Sequence, residues 1–513
     1  MELRQTGQGV AANEVVFEQA VEQPLDVEFT MPDYCPDIAR VLKCRVSPWI
    51  GSRSVNGSAL GMEGHATVTL IYADADGNLC SYAYEVPFSR TVDLGGVVEG
   101  SPTAFVRVKP AYINCRAVTP RKLDVHGALT LSIRILCRRI SDILTDLDSP
   151  DMQLLRGSAP ATTPMAAAEK YIMVEEELEL AQGQPSIRSL LRCDARALSS
   201  ECKIISNKAV VKGELLAEVL YCPEEGGRPE KLEASIPISQ IADIDGVDES
   251  CDCEAALEVV SLEVKPRTGM AGEARSVSLS AKVCISLQAF CNADLPVIYD
   301  AFSTRYETDV EKKEIAFEKM ICAINESFLC KKTLEFSDGE LGGVADVWCD
   351  SQITSVRHEG QVLLIGGTVL ICILGYDGAG APVYFERSVD YEYRHEMDET
   401  PTLMRCDPQI DAVAAACTLA AGSKAEAKVE LHISAAVFQV VKVPLVTSVQ
   451  VKEDALKPRE EDLALMIYFA EAGERVWDIA RRYNTSPEEI SMVNELGGET
   501  LPDKRMLLIP CIG

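Results

Sequence analysis

Histidine and cysteine, the residue types that most often carry chemistry, occur in this chain without the spacing that a catalytic or metal site needs. His126 and His432 fall on the polar phase of long alternating segments, where exposure to solvent is the simpler interpretation. The sequence contains no phosphate-binding loop, nucleophile elbow or zinc-protease motif. It therefore predicts a protein that is not an enzyme and that binds no cofactor and no metal ion. The five histidines are His65, His126, His358, His395 and His432.

The chain contains 19 cysteines, an odd number scattered singly along the sequence. Cys251 and Cys253 could bind a soft metal ion, but no second cysteine or histidine pair is nearby, so a loop with incidental thiols is favoured. A secreted disulfide framework would show an even count at tight spacing. We therefore expect reduced, mostly buried thiols. Cys44 and Cys193, which share one position of a repeat, are expected to be small apolar core residues.

Arg475 and Trp477 could recognise another protein, because arginine and tryptophan are enriched at the centres of interfaces. Trp477 lies off the apolar stripe that runs from Val476 to Tyr483, so we expect its ring to be only partly covered. Two interpretations stay open. The ring either props its helix against the last strand of the chain, or it forms an exposed interface anchor beside a cation.

These two residues belong to a short β-α-α-β string. A strand at Ile467–Phe469 precedes an amphipathic helix at Val476–Tyr483. Ser486 is a suitable N-cap for a second helix, and Leu507–Ile509 forms a closing strand. The string resembles a LysM module, which is a binding module and not a catalyst. The resemblance implies partner or ligand contacts at Gly473, Glu474, Arg475, Val476, Trp477, Asn494 and Leu496.

The match to LysM departs from the usual pattern at the turn that lines the sugar groove. LysM modules usually carry Gly-Asp-Thr there, whereas this chain has Gly473-Glu474-Arg475. A long cation in place of a small hydroxyl favours a protein ligand. The alternative is a protein whose LysM module binds a peptidoglycan- or chitin-type glycan.

The first ~450 residues contain an internal repeat. At a constant offset of 149 residues, Pro36–Cys44 matches Pro185–Cys193, and Gly64–Tyr72 matches Gly213–Tyr221. A more divergent third copy includes Gly367–Gly375, a further 154 residues along the chain. Each copy also contains a long segment in which apolar and polar residues alternate, which predicts strands with one buried face.

We therefore predict a mainly β fold: three antiparallel β modules, each a sandwich or an open barrel with one short helix, near Pro36 or Pro185 in the first two copies. A small α+β module follows. Linkers are predicted at 157–164 and 453–462, with a short joint at 311–314. The predicted modules are residues 12–141, 169–303, 314–447 and, for LysM, 463–513.

Composition limits the partners of such a protein. Its 513 residues carry a net charge of −30, which argues against nucleic acid and against an anionic membrane surface. The start, Met1–Gln5, lacks an apolar signal segment, and the longest apolar run, Val362–Gly375, is too short to span a bilayer. We therefore expect a cytoplasmic protein without direct membrane insertion.

The Pro32–Ile38 segment, the repeated β modules of ~150 residues, the Asp300–Thr304 segment and the single C-terminal LysM module together resemble the SipL-type spore coat morphogenetic proteins. Their β repeats are called SPOCS domains. The resemblance implies an adaptor made in the mother cell of a sporulating clostridial bacterium. The coat ATPase SpoIVA recruits such proteins to the forespore surface, and LysM contributes to that contact. A weaker option is a hydrolase with a site hidden in the β modules.

Overall fold

The computed structural model of the protein consists almost entirely of antiparallel β-strands. The alternating segments form long strands, because successive side chains point to opposite faces and one face is buried. This confirms the mainly β fold class that the sequence predicts. No helix within the described residues is long and apolar enough to cross a membrane. The structure describes residues 4–98, 100, 102–149, 151–269, 272–336, 341–420, 424–458 and 464–510.

Module one contains two three-stranded sheets that pack face to face as a sandwich. Its strands are β1 (Arg4–Thr30), β2 (Arg40–Asn56), β3 (Ala59–Ala73), β4 (Leu79–Asp93), β5 (Pro102–Thr119) and β6 (Lys122–Asp148). The longer sheet has the order β1-β6-β5, and the shorter sheet has the order β2-β3-β4. Leu70, Leu123 and Leu129 are fully buried where the two sheets face each other.

Modules two and three repeat this arrangement. Module two has β7 (Met152–Glu179), β8 (Ile187–Ile204), β9 (Lys208–Pro223), β10 (Glu230–Asp243), β11 (Cys251–Thr268) and β12 (Ala274–Ser303). Module three has β13 (Tyr306–Glu335), β14 (Gly343–Glu359), β15 (Val362–Tyr376), β16 (Pro382–Glu396), β17 (Met404–Cys406), β18 (Gln409–Ala420) and β19 (Lys424–Leu456). The longer sheets are β7-β12-β11 and β13-β19, with β17 and β18 both on the far edge of β19. The shorter sheets are β8-β9-β10 and β14-β15-β16.

One glycine recurs in the central strand of each shorter sheet, at Gly64, Gly213 and Gly367. Each lies beside a β-bulge in the first strand of that sheet. A Cβ at these positions would lie 2.1 to 2.3 Å from a carbonyl oxygen of the bulged strand. The backbones therefore approach so closely that only glycine fits, and the repeat of the sequence is a repeat of this local geometry.

The short helix expected in each module is absent from the described residues, and this part of the fold prediction is wrong. The chain makes a turn or bend before Pro36 and then enters β2, and the segment after Pro185 enters β8 in the same way. In both modules a tyrosine of the central strand donates a hydrogen bond to the proline carbonyl, Tyr72 at 3.0 Å and Tyr221 at 3.2 Å. A short apolar run fits a helix or a strand, and pairing with the central strand decided between them.

The longest strands continue past their sandwiches and pack together as a stalk. We define the stalk as residues 4–15, 136–148, 152–165, 290–303, 306–320 and 438–456. Each of the three strand pairs has a β-bulge where the stalk begins. Ile143, Val297 and Phe317, one from each pair, are buried in one cluster. The three modules therefore share a core in addition to their own.

The segments predicted as linkers lie largely in this stalk. Residues 157–164 belong to β7 and pair with β12, and residues 311–314 belong to β13. Of the segment 453–462, the first four residues are part of β19, and residues 459–462 lie outside the described residues. Proline, serine and glycine suggested a loop at 157–164, but burial of Ala159 and Ala161 against the other strand pairs favours the extended conformation.

The shorter sheets meet around a common axis at the other end of the molecule. Ile71, Leu220 and Leu374 occupy the same repeat position in β3, β9 and β15, and all three are buried in one cluster. A buried ion network lies beside it, in which the guanidinium of Arg192 reaches Asp346 at 2.7 Å. The three modules thus surround an approximate threefold axis.

Candidate functional site

The C-terminal module, residues 464–510, has the predicted β-α-α-β order. Its elements are β20 (Leu465–Ala470), α1 (Val476–Tyr483), α2 (Pro487–Val493) and β21 (Arg505–Pro510). The two helices cover one face of the two-stranded sheet. Its core consists of Ala470, Val476, Ile479, Ala480, Ile490, Leu507 and Ile509, all buried. This element order agrees with LysM, although the assignment to LysM stays a prediction.

The two loops expected to line a sugar groove are hydrogen-bonded to each other through their backbones. The Gly473 N–H donates to the Leu501 carbonyl at 2.8 Å, and the Leu501 N–H donates to the Glu474 carbonyl at 2.9 Å. The Val476 N–H donates to the Glu499 carbonyl at 2.9 Å. Gly473 has a φ of +88°, a conformation that favours glycine. These backbone groups are therefore used inside the module.

In two of the predicted contact residues, the polar groups of the side chain form hydrogen bonds within the module. The Glu474 carboxylate accepts hydrogen bonds from the Tyr468 hydroxyl at 2.9 Å and from the Glu471 N–H at 3.0 Å. The Asn494 amide bonds both the N–H and the carbonyl of Leu508, each at 2.7 Å. These hydrogen bonds connect α2 to β21, so Asn494 has a structural role.

The remaining predicted contact residues differ in their exposure. Arg475 is exposed, and its backbone forms an isolated β-bridge with Thr500. Val476 is buried in the core, and Leu496 is half-buried against the same cluster. Of the seven residues, Gly473 and Arg475 are the ones that the structure leaves exposed.

Trp477 is buried, so the expectation of a partly exposed ring is wrong. Its side chain is only 7% exposed. The indole packs edge-on against Phe302 of the stalk, with ring centroids 4.9 Å apart. Its Nε1–H donates to the Asp300 carboxylate at 3.0 Å. Trp477 therefore anchors an interface, but the partner is the stalk of the same chain.

Asp300 is the centre of this intramolecular contact. One carboxylate oxygen accepts from Trp477 and from Arg481, the latter at 2.8 Å, and the other lies 2.8 Å from the Lys312 ammonium. Burial raises the pKa of Asp300, but the Lys312 and Trp477 hydrogen bonds and the Arg481 charge outweigh it and lower the pKa overall. Asp300 thus stays ionised, and the C-terminal module is held on the end of the stalk.

The outer face of the same module lies outside the residues that the LysM resemblance indicates. Leu465, Ile467 and Phe469 of β20 point away from the helices, and Met506 of β21 lies directly across from Phe469. Ile467 is 58% exposed and Phe469 is 69% exposed. The signal was present in the sequence, because every residue of β20 is apolar. A two-stranded sheet with helices on one side leaves such a strand with one uncovered apolar face.

The cysteines and histidines outside this module were the other candidates for chemistry. Within the described part of the chain, no group of three or more histidine, cysteine, aspartate or glutamate side chains could hold a metal ion. Cys253 forms a disulfide with Cys202, so the expectation that all thiols are reduced is wrong for this pair. The bond joins strands whose contact only the folded sandwich creates, and it also removes Cys253 from the thiols that could bind a soft metal.

A cavity of about 370 Å³ lies where the three modules meet the stalk. Its arginines are paired with carboxylates. Arg134 lies 3.0 Å from Asp407 of module three, and Arg53 pairs with Glu169 of module two. These pairs hold neighbouring modules together, and we assign the cavity a structural role.

The fold and the site together define a class: a protein of repeated β-sandwich modules with a small β-α-α-β module docked on their shared stalk. The family model for the SPOCS domain of SipL matches residues 37–118 and 186–266. These segments cover nearly all of β2–β5 in module one and of β8–β11 in module two. The matches support a SipL-type protein related to sporulation and the spore coat. No curated protein and no solved structure matches the chain.

Proposed function

We propose that this protein is a non-enzymatic adaptor in the assembly of the bacterial endospore coat. It acts in the mother cell and tethers coat to the forespore surface by binding a SpoIVA-like coat morphogenetic ATPase. The two SPOCS matches support the coat assignment. The uncovered apolar face of the C-terminal module is the observation that carries the adaptor role.

The outer sheet face, made of Leu465, Ile467, Phe469 and Met506, has the composition of an interface core. Contiguous exposed apolar side chains on a water-soluble module mark interaction sites, because leaving them in water is unfavourable. A charged rim adjoins the face, where Lys504 pairs with Glu471 at 2.6 Å. An apolar centre with a polar rim is typical of protein–protein interfaces.

The proposal is tested by replacing an apolar side chain of this face with a charged one. Ile467→Glu in the full-length protein should weaken binding to the purified coat ATPase by about 30-fold, because a central interface side chain commonly contributes ~2 kcal/mol. The matched control is Met492→Glu, since Met492 of α2 is 74% exposed in the same module but lies outside the outer sheet face. Calorimetric titration measures both. Unchanged affinity of the Ile467→Glu protein would contradict the proposal.

Glycan binding is the alternative, and the same titration separates the two. The loops around Gly473 are bonded to each other through their backbones, and Glu474 is committed to Tyr468. Both features disfavour a sugar ligand at this turn. We expect no micromolar affinity for chitin oligomers or purified peptidoglycan fragments. Tight glycan binding together with no binding to the ATPase would favour the alternative.

A further inference from the structure

The connection between β1 and β2 of module one presents an exposed tyrosine to solvent. We call this connection, residues 31–38, the apex loop. The Cys35 N–H donates to the Pro32 carbonyl at 2.9 Å, which closes a turn with Asp33 and Tyr34 at its apex. Tyr34 is 81% exposed. Its ring therefore gains almost nothing from burial within the fold.

Side chains from elsewhere in module one hold the backbone of the apex loop in place. Arg121 donates to the Pro32 carbonyl at 2.6 Å and to the Cys35 carbonyl at 3.2 Å. The Tyr72 hydroxyl donates to the Pro36 carbonyl at 3.0 Å. Cys35 is itself buried in the core of the module. A loop that is ordered before it binds a partner loses less conformational entropy on binding.

Module two builds the same loop without the tyrosine. At the offset of 149 residues, Gly183 takes the position of Tyr34. The Gln184 N–H donates to the Ala181 carbonyl at 3.1 Å, so the turn is the same. Arg275 donates to both of these carbonyls, Ala181 and Gln184, as the arginine of module one does at its loop. The turn therefore forms without an aromatic side chain, and the fold does not require Tyr34.

Two carboxylates lie on the same loop as the exposed ring. The Asp33 side chain is fully exposed, and its ion pair with Arg121 spans 3.7 Å. Asp37 is also exposed and pairs with Arg121 at 2.7 Å. The face of an aromatic ring attracts a cation, and neighbouring carboxylates strengthen that attraction. The loop therefore suits a positively charged ligand, as does the net charge of −30 on the whole chain.

We propose that the apex loop is a docking site for an extended basic segment of another protein. An arginine or lysine of that segment lies on the Tyr34 ring, and a second cation lies beside Asp33. The proposal goes beyond the adaptor role and does not depend on it, because the apex loop and the outer sheet face belong to different modules.

The two surfaces are far apart in the molecule. β1 ends at Thr30 beside the apex loop, whereas its first residues belong to the stalk. The C-terminal module docks on Phe302 of that stalk. The apex loop and the outer sheet face are thus separated by the length of β1, so one protein can bind a partner at each of them.

A glycan is the other ligand class that exposed aromatic and carboxylate side chains suit. A sugar needs several hydrogen-bonding groups placed around its ring. In the apex loop, the carbonyls of Pro32, Cys35 and Pro36 already accept hydrogen bonds from module one. The exposed carboxylates beside the ring therefore favour a cation over a sugar.

Fluorescence anisotropy with the full-length protein tests the apex loop. The probe is a labelled peptide of alternating arginine and glycine residues, which is positively charged and has no fixed fold. Because the whole chain is acidic, part of the binding is non-specific, and an uncharged substitution separates that part. Tyr34→Ala should weaken binding about fivefold, and Tyr34→Phe should retain most of the affinity, because a phenyl ring also attracts cations. Equal affinities of the Tyr34→Ala and natural proteins would overturn the proposal.

The matched control is Tyr112→Ala. Tyr112 of β5 is 49% exposed in the same module but lies outside the apex loop, so its removal should leave the affinity unchanged. Asp33→Asn should weaken binding about twofold, as expected for an exposed charge pair. The Tyr34→Ala protein should melt at the same Tm as the natural protein. A lower Tm would assign Tyr34 a structural role and contradict the proposal.

Two further measurements separate the other possible occupants. Chitin oligomers are titrated against the natural and Tyr34→Ala proteins, and sedimentation of both proteins is measured over a range of concentrations. We expect no difference between the proteins in either measurement. Glycan binding that Tyr34→Ala removes would identify a sugar site, and self-association that it removes would identify a second copy of the chain. Either result would overturn the proposal.

Discussion

Among single residues, Trp477 is the clearest case of a side chain whose partner lies in the same chain. The sequence left two interpretations of Trp477 open, a prop and an exposed interface anchor, whereas the structure buries its ring in a contact inside the chain. Its partners, Asp300 and Phe302, are some 175 residues away in sequence, in a segment that alternation describes only as strand. No local pattern connects the two segments. We propose instead that Ile467 and its neighbours contact another protein.

The carboxylate of Asp300 should stabilise the contact between the C-terminal module and the stalk. Asp300→Ala leaves the Trp477 N–H, Arg481 and Lys312 without their common acceptor, which we expect to cost about 3 kcal/mol. Calorimetry should show the C-terminal module unfolding at lower temperature, with faster hydrogen exchange across residues 464–510. The control is Asp309→Ala, because the Asp309–Lys452 pair of the same stalk is exposed, so solvent screens it and its contribution to stability is small. Equal effects of the two variants would remove Asp300 from this role.

At the scale of elements, the repeated glycine explains why the shorter sheets have one geometry. A bulge in the first strand increases local twist, and the glycine beside it lets the bulged backbone approach. The helix expected near Pro36 does not form, for a related reason. The segment is short, its apolar and charged residues suit either state, and its pairing partner roughly 30 residues away selects the strand.

Gly213→Ala should therefore destabilise module two. The added methyl group would lie 2.3 Å from the Leu198 carbonyl oxygen and 3.0 Å from the Leu257 side chain, so the backbone must shift. We expect a loss of about 2 kcal/mol, within the range for overpacked positions. The control is Gly269→Ala, where the nearest atom is 3.6 Å away and the contact is ordinary. Urea unfolding measures both, and equal midpoints for the two variants would refute the close-packing argument.

In the whole molecule, the three modules that the sequence predicts as separate domains pack into one assembly. Their shared stalk, the apolar cluster on the axis and the ion pairs between modules connect them. Arg192 is deeply buried in this arrangement, with 2% of its side chain exposed. Burial alone would lower its pKa, but the carboxylates of Asp194, Asp346 and Glu218 outweigh burial and raise it.

Removing the Arg192 side chain should destabilise the contact between modules two and three. Arg192→Ala leaves the fully buried Asp346 carboxylate without its 2.7 Å partner, and we expect a loss of about 3 to 5 kcal/mol. The double variant Arg192→Leu with Asp346→Leu should recover most of this loss, because no unpaired charge remains buried. Calorimetry of the full-length protein checks both. A double variant as unstable as the single one would show that the pair contributes through packing and not through charge compensation.

Local periodicity and self-similarity of the sequence were sufficient to predict several features of the fold. Alternation over long segments predicted buried strand faces, the constant offset of 149 residues predicted equivalent modules, and helical spacing from Val476 to Tyr483 predicted α1. These signals are local because side-chain direction follows directly from backbone geometry.

How those parts contact one another follows from the folded structure alone. The stalk, the threefold axis and the burial of Trp477 on Phe302 all join residues far apart in sequence. A strand pattern states that one face is buried, but it does not state against which surface. That choice depends on the shape and charge of faces that exist only after the modules have folded.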